Sequence, residues 1–123
     1  MIAMRLISFL LLGLGFPLIA AEPKYLDLDG DSARQVVVDR EKGQYLGHPT
    51  TVLLEDGKTI ICVYPKGHGK GAILLKRSED GGKTWSERLP TPKTWETSLE
   101  TPTIHRVVDA KGKKRLILFS GMY

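Results

Sequence analysis

Ser78-Glu79-Asp80-Gly81-Gly82-Lys83-Thr84-Trp85 predicts, by its residue order, a tight turn between two strands. The Asp80 carboxylate is able to accept hydrogen bonds from backbone N–H groups that a turn leaves unpaired. Gly82 tolerates positive φ because it has no Cβ to clash. Thr84 and Trp85 restart a strand, and the indole supplies a large apolar area that anchors the hairpin.

Runs of β-forming residues on both sides of this turn predict a set of antiparallel strands. The runs are residues 50–55, 59–64, 72–77 and 84–89. Asp56-Gly57-Lys58 joins the first two, and an Asp-Gly pair favours a hairpin turn. Four consecutive antiparallel strands form one blade of a β-propeller. A further strand is predicted at residues 35–39, inside a lead-in segment at 22–43 that mixes acids, Gly and Pro.

An internal repeat supports the same architecture. Residues 48–58 are echoed by residues 101–111, and the spacing is close to that of one four-stranded blade with its connections. The sequence therefore predicts about one and a half blades within residues 44–123, with blade 1 at about 48–90 and the start of blade 2 at about 100–121. Because stacked repeats generally need at least three units, two alternatives stay open. The chain is a piece of a longer propeller, or it pairs with other chains through the open edge of its second blade.

The octapeptide matches every fixed position of the Asp-box, Ser-x-Asp-x-Gly-x-Thr-Trp, and the matching residues are Ser78, Asp80, Gly82, Thr84 and Trp85. Together with the Pro-Thr start of each repeat, it makes residues 44–121 resemble the N-terminal part of a bacterial sialidase of the BNR-repeat, or neuraminidase, superfamily. Those proteins are six-bladed β-propellers that hydrolyse terminal sialic acids. The resemblance implies an all-β, partial six-bladed-type propeller and an exported glycoside hydrolase of the exo-α-sialidase type. The alternative function is a non-catalytic BNR-repeat propeller that binds a glycan or a protein partner.

The chain departs from the family at the two functional positions that so short a stretch could hold. Sialidases carry an arginine two residues before the proline that starts the first strand, and this chain has Gly47 there. Their acid/base aspartate is expected between the second and third strands, where residues 65–71 contain no carboxylate. The family's Tyr–Glu nucleophile pair and its other arginines have no counterpart assigned here. The sequence therefore leaves the catalytic residues unknown.

Four basic side chains are the candidate substrate-binding residues. In a propeller blade, the start of the innermost strand and the loop between the second and third strands lie on the same face. We therefore expect His48 to meet His68, with Lys66 and Lys70 beside them, and cations there suit an acidic sugar, either sialic acid or a uronate. The alternative is a flexible glycine-rich loop with solvated charges. No cofactor is implied, and no His or Cys stands at metal-ligand spacing from His105.

Residues 1–21 predict a secretory signal peptide, because Arg5 precedes a short apolar run that ends in small residues at Ala20 and Ala21. We therefore expect a secreted or periplasmic protein with no stable membrane span after cleavage. An uncleaved N-terminal anchor is the alternative.

Composition limits the remaining choices. The single Cys62 excludes an intrachain disulfide and lies among β-formers, which indicates a buried, unreactive thiol. The formal charge of +4 is scattered, and the one dense cluster, residues 111–115, predicts a solvated turn rather than a nucleic-acid site because no aromatic platform accompanies it. Trp95 is interpreted either as a sugar-stacking residue or as core packing between blades.

Overall fold

The computed structural model describes residues 24–122, so the predicted signal peptide lies outside the described residues. Within them the chain forms five β-strands and two short 3-10 helices, and no α-helix. The strands are β1 (Thr50–Leu53), β2 (Ile60–Pro65), β3 (Ile73–Ser78), β4 (Thr103–Val108) and β5 (Lys114–Phe119). The 3-10 helices are Ser32–Arg34 and Lys93–Trp95. The predicted all-β class is confirmed.

The first sheet has the strand order β1-β2-β3 and is antiparallel throughout. Its strands fall within one or two residues of the predicted runs, because β-branched and aliphatic side chains dominate each of them. Thr50 pairs with Val63, and Ile60 pairs with Ser78. The start of β1 and the end of β2 therefore lie at one end of the sheet, and the end of β3 lies at the other.

The second sheet is the antiparallel pair β4-β5, which is built on the second copy of the repeat. In both copies an aspartate closes the turn after the first strand. Asp56 accepts the backbone N–H groups of Lys58 and Thr59, and Asp109 accepts those of Lys111 and Lys113. Equivalent sequence positions therefore form equivalent local structure.

The core lies between the two sheets. Val63 and Ile73 of the first sheet pack against Ile104 of the second, with partly buried side chains around them, namely Val52, Ile61, Leu75, Trp95 and Leu118. Thr50 also links β1 to β4, because its hydroxyl donates to Pro102 O at 3.0 Å and accepts from Ile104 N at 3.3 Å. The structure thus places Trp95 in core packing, which is one of its two predicted roles.

The predicted fourth strand at residues 84–89 is wrong as a regular strand. The segment runs beside β3 and makes two backbone bonds to it, from Ser86 N to Arg77 O and from Leu89 N to Leu75 O, both at 2.8 Å. Between these bonds the segment advances three residues while β3 advances two. Arg77 N donates instead to the Ser86 hydroxyl at 3.0 Å, so a side chain replaces a backbone acceptor and the ladder breaks.

The predicted strand at residues 35–39 is also wrong, because no strand forms there. The end of the lead-in segment lies instead across the face of the first sheet that points away from the second sheet. Its Val38 carbonyl accepts a hydrogen bond from Lys76 Nζ at 2.8 Å. The segment is thus fixed by side chains of the sheet rather than by strand pairing.

Candidate functional site

The two ends of the first sheet carry different chemistry. His48 immediately precedes Pro49 and β1, and His68 lies in the loop that follows β2, so both lie at one end. The aspartate turns at Asp56 and Asp80 lie at the opposite end, where Gly81 N donates to Lys58 O at 2.9 Å. We call the first region, made of Tyr45, His48, His68 and Lys70, the histidine end.

Three aromatic rings meet at the histidine end. The rings of His48 and His68 are 4.7 Å apart between centroids and are arranged edge to face. The Tyr45 ring lies 5.2 Å from His68 and 6.2 Å from His48. All three side chains are exposed. The predicted approach of the two histidines is confirmed, and sugar binding by them stays a prediction.

His48 has an unusual backbone conformation for a residue other than glycine. Its φ is 51°, and it is the only non-glycine residue with positive φ among residues 24–122. Such strain concentrates at functional positions, where the surrounding structure holds it in place. The preceding Gly47 is covered by Tyr45, whose Cε1 atom lies 2.2 Å from the place a Cβ would take. The Tyr45 ring thus occupies the space into which any side chain at position 47 would extend.

The loop that carries His68 is held by two backbone hydrogen bonds, one that joins its two ends and one that ties it to Ser98. Lys66 N donates to Ala72 O at 2.8 Å, and Gly71 N donates to Ser98 O at the same distance. Gly67 and Gly71 both have positive φ, and a Cβ on either would lie about 2.5 Å or less from a backbone oxygen of the loop itself. The glycines are therefore required by a tight loop geometry, and the loop is more than a solvated linker.

The two predicted lysines differ in their surroundings. Lys66 Nζ lies 2.9 Å from Glu41 Oε1, so an acid from the lead-in segment offsets its charge. Both lysines line, with His68, an open groove of about 560 Å³ that extends to Ser98 and Leu99, and Lys70 is exposed with no acid paired to it by an ion pair within the described residues. Lys70 is consequently the better placed of the two cations to meet a ligand in that groove.

Sequence reasoning missed a network of charges beside the loop, centred on Asp39. The Asp39 side chain is 11% exposed. Its carboxylate accepts hydrogen bonds from Arg88 Nε at 2.7 Å and from the Tyr64 hydroxyl at 2.5 Å, and Lys76 Nζ lies 3.7 Å away. Burial alone raises the pKa of Asp39, but the hydrogen bonds from Arg88 and Tyr64 outweigh it and lower the pKa to about 2.

Arg88 extends this network to Glu41. Arg88 Nη1 donates to Glu41 Oε2 at 2.7 Å, while the other carboxylate oxygen faces Lys66. The hydrogen bonds from Lys66 and Arg88 lower the pKa of Glu41. Asp39 and Glu41 are therefore held ionised, which is the opposite of what a proton-donating acid needs near neutral pH. The sequence carries one signal for this network. Lys76 and Ser78 are two residues apart on a strand, so their side chains lie on the same face of the sheet, and a lysine buried on such a face needs an acidic partner.

The Asp-box turn has the geometry that its sequence predicts. Asp80 Oδ1 accepts the backbone N–H groups of Lys83 and Thr84 at 2.9 Å each, and Oδ2 accepts the Thr84 hydroxyl at 2.6 Å. The hydrogen bonds from Thr84 are the main cause of the lowered pKa of Asp80. Ser78 Oγ donates to Asp80 and accepts from Gly82 N, both at 2.8 Å. Gly82 has a φ of 90°, which is the predicted left-handed conformation.

The Trp85 side chain hydrogen-bonds to the backbone of its own turn. Its Nε1 donates to Gly82 O at 3.1 Å, and the ring remains only half-buried. The anchoring role of the indole is thus smaller in this sheet than the sequence suggests, because no regular fourth strand follows it.

The other candidates carry less chemistry. His105 is an exposed strand residue whose ring lies 6.0 Å from that of Phe119. The part of the chain that the structure describes brings no three His, Cys, Asp or Glu side chains into a group that could hold a metal ion. No helix within residues 24–122 has the length and apolar character to cross a bilayer.

Comparisons of the chain with protein-family models, with curated proteins and with solved structures find no match. Membership of the sialidase superfamily therefore stays a prediction from the sequence.

Proposed function

We propose that this chain belongs to an exported, sialidase-like β-propeller whose histidine end binds a terminal acidic sugar. The observation that carries the proposal is the meeting of His48 and His68 at the end of the sheet opposite the Asp80 turn. An Asp-box propeller predicts this division, with structural turns at one end and ligand-binding groups at the other.

The packing of the two sheets supports the propeller part of the proposal. Neighbouring blades are expected to meet through their innermost strands and to bury an apolar layer between their faces. Here Thr50 of β1 bonds to the backbone around β4, and Val63 and Ile73 pack on Ile104. The two copies of the repeat form the same aspartate turn with equivalent residues, as expected when one structural unit is repeated around an axis.

The chemistry of the histidine end favours an acidic ligand. The exposed imidazoles and the Lys70 ammonium supply N–H donors, and donors of this kind form charge-assisted hydrogen bonds with a carboxylate. The Tyr45 ring beside them offers an apolar face for the ring of a sugar. Lys66 contributes less, because Glu41 already pairs with it.

A second function, glycan binding without catalysis, is favoured by a specific observation. Glycoside hydrolysis usually needs a carboxylic acid that can donate a proton to the leaving group. The carboxyls described beside the His68 loop, Asp39 and Glu41, have lowered pKa values and are tied to cations. Neither suits that role, so a hydrolase would use other acids.

Calorimetric titration with N-acetylneuraminic acid, glucuronic acid and methyl glucoside tests the proposal. We expect binding of the two acids and not of the neutral sugar, and at least a tenfold loss of affinity, about 1.4 kcal/mol, in His48→Ala and His68→Ala. His105→Ala is the matched control, an exposed histidine on β4 that should leave binding unchanged. If the double His48→Ala, His68→Ala variant bound the acids as tightly as the unaltered chain, the proposal would be contradicted. Release of product from a fluorogenic sialoside separates the hydrolase from the non-catalytic binder.

A further inference from the structure

One acid of the lead-in segment reaches the loop that carries His68. Glu41 Oε1 lies 2.9 Å from Lys66 Nζ, and both side chains are about one third exposed. Lys66 lines the open groove together with His68 and Lys70. The Glu41–Lys66 pair therefore lies at the wall of the groove in which an acidic ligand would meet the cations of this loop.

A second cation holds Glu41 in this position. Arg88 Nη1 donates to Glu41 Oε2 at 2.7 Å, while Arg88 Nε donates to the buried Asp39 carboxylate at the same distance. Both carboxylate oxygens of Glu41 are thus paired with cations, and one of these cations is itself anchored. Hydrogen bonds from Lys66 and Arg88 lower the pKa of Glu41, so the group is ionised at neutral pH.

The Glu41 carboxylate has the same chemistry as the carboxylate of an acidic sugar. The Lys66 ammonium forms charge-assisted hydrogen bonds with either group. A sugar carboxylate that approaches Lys66 also approaches the negative charge of Glu41, and like charges repel each other. The same approach to Lys70 meets no acid that is ion-paired to it within residues 24–122. One of the two lysines of the groove is therefore masked by an acid of the chain itself.

We propose that Glu41 is a specificity-determining residue that competes with the acidic ligand for Lys66 and thereby weakens its binding. The proposal rests on the proposed function, because the ligand is the acidic sugar of the histidine end. Glu41→Gln removes the competing charge, keeps the size of the side chain and leaves a carbonyl oxygen for Arg88. Arg88 also keeps its hydrogen bond to Asp39, so the lead-in segment remains anchored while Lys66 becomes available to the ligand.

Calorimetric titration with N-acetylneuraminic acid at low ionic strength tests the proposal. We expect Glu41→Gln to bind about three- to fivefold more tightly than the unaltered chain, which is the range that a partly exposed ion pair supplies. Lys66→Gln should change the affinity by less than about twofold, because the masked lysine contributes little. The double variant Glu41→Gln, Lys66→Gln should show no gain over Lys66→Gln. Glu79→Gln is the matched control, because it removes the same charge from the Asp-box turn, where Glu79 pairs with Arg77 at 2.9 Å.

The outcomes separate this proposal from the proposed function. If the unaltered chain binds the acid and a folded Glu41→Gln binds it no more tightly, competition by Glu41 is contradicted while sugar binding is not. A gain that persists in the double variant, or an equal gain in Glu79→Gln, would show an effect of overall charge and would also contradict competition at Lys66. Absence of binding in every variant would contradict both proposals. Circular dichroism confirms folding, and Glu41→Ala, which removes the carboxylate altogether, should give the same gain as Glu41→Gln.

Discussion

Asp39→Asn is the substitution that probes the charge network most sharply. Asparagine keeps the size of the side chain and one carbonyl acceptor, so the Tyr64 hydroxyl still has a partner. The negative charge is lost, and the Arg88 guanidinium and the buried Lys76 ammonium lose their common counter-ion. Because an uncompensated buried charge is costly, we expect a lower free energy of unfolding.

The magnitude follows from the carboxyl pKa. The pKa of Asp39 falls from its ordinary value of 3.8 to about 2 in the folded chain. A difference of roughly two pKa units corresponds to about 2–3 kcal/mol of stability at neutral pH. Because the folded pKa is the lower one, this contribution is fully present above about pH 4 and is lost as the pH falls through about 2.

Urea unfolding followed by tryptophan fluorescence measures the effect at several pH values. The unaltered chain should exceed Asp39→Asn by about 2–3 kcal/mol at pH 7, and this difference should shrink toward zero near pH 2, when Asp39 takes up a proton. Glu79→Gln is the control, because the exposed Glu79–Arg77 pair should contribute less than about 1 kcal/mol. A difference below about 0.5 kcal/mol at pH 7, or one that persists unchanged at pH 2, would show that the Asp39 charge does not stabilise the fold.

Asp80→Ala should lower the melting temperature measured by circular dichroism without changing the affinity for N-acetylneuraminic acid, because the carboxylate satisfies the N–H groups of its own turn; an unchanged melting temperature would contradict this. Cys62 is 1% exposed and burial raises its pKa to about 11, so its reaction with Ellman's reagent should be at least about 100-fold slower than that of a free thiol until urea unfolds the chain. Rapid reaction of the folded chain would show that the thiol is accessible. Export should remove the N-terminal segment near Ala20–Ala21, which intact-mass spectrometry of the protein from an exporting host detects as the loss of about 20 residues. A product that retains Met1 would contradict the signal-peptide prediction.

The parts of the fold that follow from the sequence are those with local causes. The turn at 78–85 forms because its side chains bond to one another and to its own backbone, and each of these side-chain hydrogen bonds spans at most four residues. The strands β1, β2 and β3 follow from runs of β-forming residues bounded by turn residues. The proximity of His48 and His68 follows from strand order, which fixes which loops share an end of a sheet.

The parts that the sequence does not reveal depend on distant or competing contacts. Asp39 and Arg88 are 49 residues apart, and no local pattern links them. A run such as 35–39 has β-forming residues, yet its Asp39 binds cations on a sheet face and no strand forms. Residues 84–89 likewise follow a strand pattern until the Ser86 hydroxyl takes the N–H of Arg77. Such competition between side chain and backbone is decided only in the folded structure.

Binding of an acidic sugar at the histidine end is best tested by an NMR titration of the ¹⁵N-labelled chain with N-acetylneuraminic acid. We expect saturable shift changes in the backbone amides of His48, His68, Gly69 and Lys70, and none in those of the Asp-box turn at 78–85. Changes centred on the Asp-box turn, or no saturable change anywhere in the chain, would contradict it.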